Sequence, residues 1–433
     1  MRKLKLSPLV VAFATVCTAL TQQAFAADTS INNLFNLEQN CATGEYGVDQ
    51  FSKMFTCGSV HGAIKTLYYS TNNAYFSGFN QDTTSAGGYI KYETAPFYGF
   101  QLGASYDLQR RLDDEKGNNE VGELKEDRDG LAEAYVTWKN DDVRLTVGNQ
   151  RLNLPFVGDY ADWRILEAVY QAADFQWGNQ SDFLRLTKIN KFKSFANDEF
   201  FKTTRQNSTI ETDGMWAIGL GKSYAVNADT KLKGQLWFER YEDYTDLLYA
   251  EGSVAFPNAQ FAPEISVQYL TGKEQGDAIV GNVDSQVFGV QSNLKLTPKL
   301  NWKVAYDYIK PEEDAYRNGA LVTPYSNNTS SSVIFAQPFF TSTQDLGAGH
   351  ALMTSFDGKL NHNTILGARY SFMDLKESAD ADSRNQSEYL LFGIYNFDGK
   401  LKGLSLSNFA GVQVSPRYDD PFWQNRLALT YKF

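Results

Sequence analysis

Arg151, Asp159, Asp162 and Arg164 lie within one short stretch of this chain. Charges of both signs held across a narrow passage create a transverse field, and such a field orients a dipolar solute. The same four side chains could instead tie a loop to a wall by ion pairs. A second set is spread along the chain: Arg144, Lys303, Arg369 and Arg426, with Glu133 and Asp307. Each falls on the polar side of a segment that alternates polar and apolar residues. If those polar sides converge on one lumen, the cations lower the energy of a carboxylate or phosphate solute in a partly desolvated pore. The other reading is that they brace the wall by pairing with Glu133, Asp307 and further acids. The two roles are compatible.

The remaining residues offer little catalytic chemistry. His61, His350 and His362 are isolated, and no His/Cys spacing fits a metal site. A lipid-hydrolysing barrel needs a His and a Ser on adjacent lipid-facing positions. Only His350, near Thr354 and Ser355, comes close. Neither a cofactor nor an enzymatic activity is expected.

The elements that must position these residues are strands. The chain has 433 residues, rich in Tyr (25), Phe (30) and Gly (33) and poor in Pro (11), a mix that suits many short strands. Its mean hydropathy of -0.40 is too polar for a helical membrane protein. At the start, Arg2, Lys3 and Lys5 precede an apolar stretch from Leu9 to Leu20 and an Ala24-Phe25-Ala26 site. This is the pattern of a secretory signal spanning residues 1–26. Its removal takes three positive charges, so the net charge moves from -11 to -14. Nucleic acid is disfavoured as a partner. Cys17 leaves with the signal, and Cys41 and Cys57, alone together in an oxidising compartment, most simply form a disulfide.

Leu427, Leu429, Tyr431 and Phe433 alternate with Arg426, Ala428, Thr430 and Lys432. The same period of two recurs at Val143–Gly148, Asn301–Tyr308, Ile365–Phe372 and Ala132–Lys139, the last with Ala132, Ala134, Val136 and Trp138 on the apolar face. An apolar outside with charges at strand centres is the pattern of an outer-membrane barrel. Short turns are read near Ala95–Gly99, Asn140–Asp142, Gly178–Ser181, Asn227–Thr230, Pro257–Gln260, Thr297–Lys299, Gly358–Asn361 and Asp398–Lys402. Longer, mostly polar segments fall between them, including Leu112–Asp129, Arg151–Leu166, Phe195–Thr212 and Pro311–Gly347. The scheme predicts an all-β, transmembrane antiparallel β-barrel of 18 strands over residues 60–433. The short joint at Tyr241–Thr245 leaves 16 as the fallback. Residues 27–59 are expected to form a periplasmic or lumen-facing segment holding the disulfide. Trp138, Trp177, Trp302, Trp423 and Tyr431 suit interface anchoring, with sugar stacking as the alternative. Alternation turns Trp237 inward. Lys188, Lys191 and Lys193 form a run at a strand's outer end, facing solvent, lipopolysaccharide or the pore.

The stretch Gly148-Asn-Gln-Arg-Leu-Asn-Leu-Pro-Phe-Val-Gly-Asp-Tyr-Ala-Asp-Trp-Arg-Ile-Leu-Glu-Ala168 resembles the OprD-type family of substrate-selective outer-membrane porins. In that family a strand ends in G-x-Q, and a Pro and a D-x-R follow in the third extracellular loop. The matching positions are Gly148, Gln150, Pro155, Asp162 and Arg164. The hairpin Gly88–Glu93 and Gly99–Tyr106 is also similar, and the likeness runs diffusely from about Val60 onward. It implies an 18-stranded barrel whose third loop folds inward, and passive diffusion of small solutes, often anionic or zwitterionic, past a basic ladder. The Cys41–Cys57 segment stands outside the family pattern, and Ile-Leu-Glu follows Arg164 where the pattern has a Pro close by. The expected partners are small hydrophilic solutes with a preference for carboxylates, and outer-membrane lipid and lipopolysaccharide. The assembly is a monomer or a homotrimer. A general diffusion pore, or a phospholipase or adhesin barrel, is the alternative.

Overall fold

The structure is a computed structural model that describes residues 41, 44, 47–159, 163–326, 331–341, 347–376 and 384–433. The signal at 1–26 and Asp162 lie outside the described residues. A short helix, α1 (Phe51–Thr56), leads into β1 (Ser59–Asn72), β2 (Gln81–Glu93), β3 (Phe100–Arg111), β4 (Arg128–Asn140), β5 (Val143–Gln150) and β6 (Val169–Gly178). There follow β7 (Phe183–Lys193), β8 (Met215–Asn227), β9 (Thr230–Tyr241), β10 (Thr245–Ala255), β11 (Glu264–Glu274) and β12 (Asp284–Thr297). The last six are β13 (Leu300–Ile309), β14 (Gly349–Lys359), β15 (Thr364–Leu375), β16 (Arg384–Asn396), β17 (Leu404–Val414) and β18 (Phe422–Lys432).

Every strand pairs antiparallel with its sequence neighbours, and β1 closes on β18 from Ala63 opposite Lys432 to Asn72 opposite Trp423. The sheet is therefore an 18-stranded barrel without edges, as the spacing predicted. The 16-strand fallback fails because Tyr241–Thr245 is a genuine hairpin: Tyr241 pairs with Thr245, and the turn accommodates Asp243 at φ 64°. All eight short turns fall between strands on one rim. The loops of the other rim include L2 (112–127), L3 (151–168), L4 (194–214) and L7 (310–348).

Alternation sorts side chains as expected. In β3, Phe100, Leu102, Tyr106 and Leu108 are exposed outward, and Gln101, Ser105, Asp107 and Gln109 are buried inward. One position departs. Ala132, expected on the apolar outer face, is buried, because a bulge between Ala104 and Tyr106 shifts the register against β4.

The larger correction concerns the lumen. Pro311–Gly347 was read among the mostly polar outer segments. Instead Leu321, Val322, Tyr325, Val333, Ile334, Phe335, Ala336, Phe339 and Phe340 of L7 are buried. Leu152, Leu154, Phe156 and Val157 of L3 join Leu321, Val322, Tyr325, Val333 and Ile334 in one apolar core against inward side chains of β6 to β13, among them Trp237, Tyr241 and Tyr249. Two loops thus fill that half of the barrel, each fully buried large apolar side chain contributing roughly 1.5–3 kcal/mol. Charged inward residues are concentrated on the opposite wall, from β18 through β1 to β7.

Candidate functional site

Arg426 lies on β18 opposite Tyr69 of β1. Its guanidinium sits over the Tyr69 ring at 4.3 Å and donates to Glu123, at 2.6 Å to Oε1 and 3.2 Å to Oε2. Glu123 comes from L2, which is fastened inside the barrel. The Val121 N–H donates to Thr83 Oγ1 at 2.8 Å, the Ser85 hydroxyl donates to the Leu124 carbonyl at 2.7 Å, and Gln109 Nε2 donates to the Glu123 carbonyl at 3.2 Å. Leu124 is buried with Leu67 and Tyr69. Four independent contacts therefore set the position of one carboxylate.

L3 brings the second guanidinium. Arg164 Nε lies 3.6 Å from Glu123, and its Nη1 donates to Asp159 at 3.3 Å. The Arg164 guanidinium faces the Phe195 ring of L4 at 4.1 Å, and Lys65 Nζ of β1 donates to the Arg164 carbonyl at 2.7 Å. Burial raises the Glu123 carboxyl, but Arg426 and Arg164 outweigh it and hold the group below its ordinary value. Beside this cluster is a cavity of about 300 Å³ walled by Tyr69, Tyr75, Trp163, Phe195, Phe339 and Phe340.

A second cluster continues along the wall. Arg151, at the base of L3, lies 3.2 Å from Glu167, 3.7 Å from Asp107 and 3.9 Å from Glu133, with its guanidinium over Tyr89 at 4.3 Å. Lys91 lies 3.2 Å from Glu133 and 3.6 Å from Glu93, which accepts a hydrogen bond from Tyr135. Beyond it, Arg185 donates to both oxygens of Asp174, at 2.9 and 3.2 Å, and to the Asn153 carbonyl at 2.8 Å. Arg185 thus ties the start of L3 to the wall. Arg144, opposite Gln176, lines the same small space. The G-x-Q signature serves this arrangement. Gly148, at φ +131°, puts its α-carbon where any side chain would meet the Ala134 carbonyl, and Gln150 Nε2 donates to the Thr146 and Ala172 carbonyls.

The sequence-read residues do not converge on one point. Arg144, Arg151, Glu133, Arg164, Asp159 and Arg426 share the charged wall and the L3 loop. Lys303 and Arg369 flank Ser355 on β14 and stand apart, both acting on Asp357. Glu133 pairs with Lys91 and Arg151. Asp307 is covered by L7 and, instead of pairing with a wall cation, accepts from Gln268 Nε2 at 2.6 Å and the Ala336 N–H at 2.5 Å. Glu388 does the same for L7 further on, accepting from the Phe339 and Phe340 N–H groups at 2.6 and 3.0 Å. Trp237 points inward as expected but is fully buried, with its indole N–H on Gln235, so it offers no face to a sugar. Of the lysine run, Lys193 is buried inward and Lys188 lies over the Trp216 ring on the outer surface. His350 bonds the Tyr306 hydroxyl at 2.7 Å, and Thr354 accepts from Trp302, so neither forms a His–hydroxyl pair with the other.

Lys65, Lys91, Glu93, Asp107, Asp174, Arg185 and Glu388 have no role in the sequence analysis, and Glu123, in an acidic run Glu123–Asp129 whose composition points to solvent, divalent ions or lipopolysaccharide, turns inward onto Arg426 and Arg164 instead. Alternation on the strands carries a signal for these residues except Lys65, whose strand is apolar on both faces, and Glu123, whose loop has no period.

The sequence model of the outer membrane porin, OprD family, matches residues 69–344. No curated protein sequence matches the chain. Among solved structures, OpdK of Pseudomonas aeruginosa with vanillate superposes with a TM-score of 0.73 at 13% identity, covering 88% of this chain and 99% of that one. A BenF-like porin of Pseudomonas fluorescens Pf-5 gives 0.73 at 14%, with 88% and 99% covered. OccAB4 of Acinetobacter baumannii gives 0.67 at 17%, with 87% and 98% covered. The barrel closure, the inward third loop and the family match agree, and this chain belongs to the OprD family of outer-membrane porins.

Proposed function

We propose that this porin passes small hydrophilic solutes by passive diffusion, with a modest preference for those bearing a carboxylate. The observation that carries the reading is the row of cations along the charged wall: Arg426, Arg164 and Lys65 at the L3 level, Arg151 and Lys91 below them, then Arg185 and Arg144. At the L3 level the described acids beside Arg426 and Arg164 are Glu123 and Asp159, and the two guanidinium groups line an aromatic cavity. The aromatic faces accommodate the apolar body of a solute while the guanidinium groups meet its charged end. OpdK, one of the structural relatives, was solved with vanillate, which is in keeping with such a solute.

The acids on the same wall favour a second reading, a general diffusion pore in which the charges only brace L2 and L3. Reversal potentials in a planar bilayer under a salt gradient separate the two. Arg164→Ala tests the inward loop and Arg144→Ala tests the wall. A shift toward cations in either supports selectivity, and no change in both leaves a general pore.

A further inference from the structure

The described part of the N-terminal segment does something the pore does not require. Met54 of α1 and Cys57, which follows it, are buried against Val48 and Ala95. The adjoining face carries Phe51 and Phe55, one helical turn apart and 62% and 44% exposed. Their rings meet edge to face at 5.4 Å, Phe51 reaches Phe97 at 5.8 Å, and Phe97 contacts Tyr98, itself 70% exposed, at 4.7 Å. Phe97 is partly buried against the Val48–Met54–Cys57–Ala95 core and links three exposed rings, Phe51, Phe55 and Tyr98, into one patch with no described cover.

The patch has a definite place. Lys91 and Glu93 point into the lumen, so Tyr92 between them points out, and its hydroxyl donates to the Phe55 carbonyl at 2.5 Å. The helix therefore lies on the outward side of the wall, at the short-turn rim. Its seat is rigid. The Val48 N–H donates to the Pro96 carbonyl and the Ala95 N–H to the Met54 carbonyl, each at 2.8 Å, and Cys41 is bonded to Cys57. The neighbouring outward residues Val60, Ile64, Ile90, Phe100 and Leu102 are exposed and apolar, so the lipid-facing band of β1 to β3 runs into the patch.

We propose that α1 is an interfacial foot: Phe51, Phe55, Phe97 and Tyr98 insert at the headgroup–acyl boundary of glycerophospholipid in the periplasmic leaflet. Continuity with the lipid-facing band identifies the occupant. Aromatic rings are favourable at that boundary, where one side is apolar and the other wet, and unfavourable as a free patch in water. The short-turn rim of such a barrel is periplasmic, which fixes the leaflet. Clamping the helix by a disulfide and by the 94–99 turn leaves little entropy to lose on insertion.

The test uses the full chain in outer-membrane vesicles with the photoreactive residue p-benzoylphenylalanine placed at Phe51 or Phe55, two exposed positions that tolerate a larger ring. Leu391, exposed on the lipid-facing surface of β16, is the reference. After irradiation, mass spectrometry identifies the adduct. Glycerophospholipid adducts at 51 and 55, matching Leu391 in yield within a few-fold, support the foot. Adducts with another protein, with lipid A, or none at all overturn it.

Discussion

Arg426 and Glu123 stand 303 positions apart and meet at the barrel mouth, where the guanidinium donates two hydrogen bonds to the carboxylate. The same carboxylate lies 3.6 Å from Arg164. One acid from L2 therefore offsets part of the charge of two guanidinium groups, and its removal is the gentlest way to expose their field. Glu123→Gln keeps the shape and deletes the charge. A unit charge at about 4 Å is worth on the order of 1–4 kcal/mol between water and an intermediate dielectric, most of it screened by water and neighbours. The variant should shift the reversal potential toward anions, by an amount that shrinks as salt rises. An unchanged potential would show that solute does not sense this pair.

The same carboxylate sets a pH dependence. Burial raises its pKa, but Arg426 and Arg164 outweigh burial and lower it, so Glu123 takes up its proton at a lower pH than an ordinary glutamate. The support it gives to L2 is full above the ordinary glutamate range and is lost as pH falls through the lowered value. Ion selectivity should be flat from neutral pH into the ordinary range and turn more anion-selective below it. Glu123→Gln should remove this step, leaving only that of other acids.

L7 supplies a third expectation. Glu388 accepts the Phe339 and Phe340 N–H groups, and these are buried. Glu388→Ala leaves both unpaired, at about 1–3 kcal/mol each. Part of L7 should detach, and single-channel recordings should show larger or noisier conductance. A quiet trace of native amplitude would mean that the apolar contacts alone hold the loop.

Why L7 was not legible has a physical answer. Strands announce themselves by a period of two, and β5, β13 and β18 do so because lipid enforces one apolar face. A loop folded into the lumen has no such period. Its signal is the apolar run Val333-Ile334-Phe335-Ala336, followed by Phe339-Phe340, inside a segment otherwise rich in Ser, Thr and Asn. β1 was blurred for a related reason. Leu67 and Tyr69 are buried inside while Ile64 is exposed outside, so Lys65 was hidden among apolar residues on both faces. L3 is readable through the family resemblance that Gly148, Gln150, Pro155 and Arg164 carry. Glu123 is not, because only the fold reveals which of several loop acids turns inward.

The disulfide gives a fourth prediction. Cys41 and Cys57 are bonded with their α-carbons 5.4 Å apart. A maleimide reagent should not label the purified, unreduced, denatured protein, whereas it should label both positions after reduction. The Cys41→Ser/Cys57→Ser variant should keep the heat-modifiable migration of the barrel, since the bridge clamps α1 and not the sheet. Labelling before reduction would remove the bond from the account.

The central claim is that the Arg426–Arg164 pair makes the passage favour carboxylates. The most direct measurement is liposome swelling with benzoate and with benzyl alcohol, solutes of similar size that differ in the carboxylate, for the native protein and for Arg426→Ala. Benzoate should enter native liposomes faster, and Arg426→Ala should lose that advantage with benzyl alcohol entry nearly unchanged. Equal benzoate advantage in both proteins, or no advantage in the native one, would contradict it.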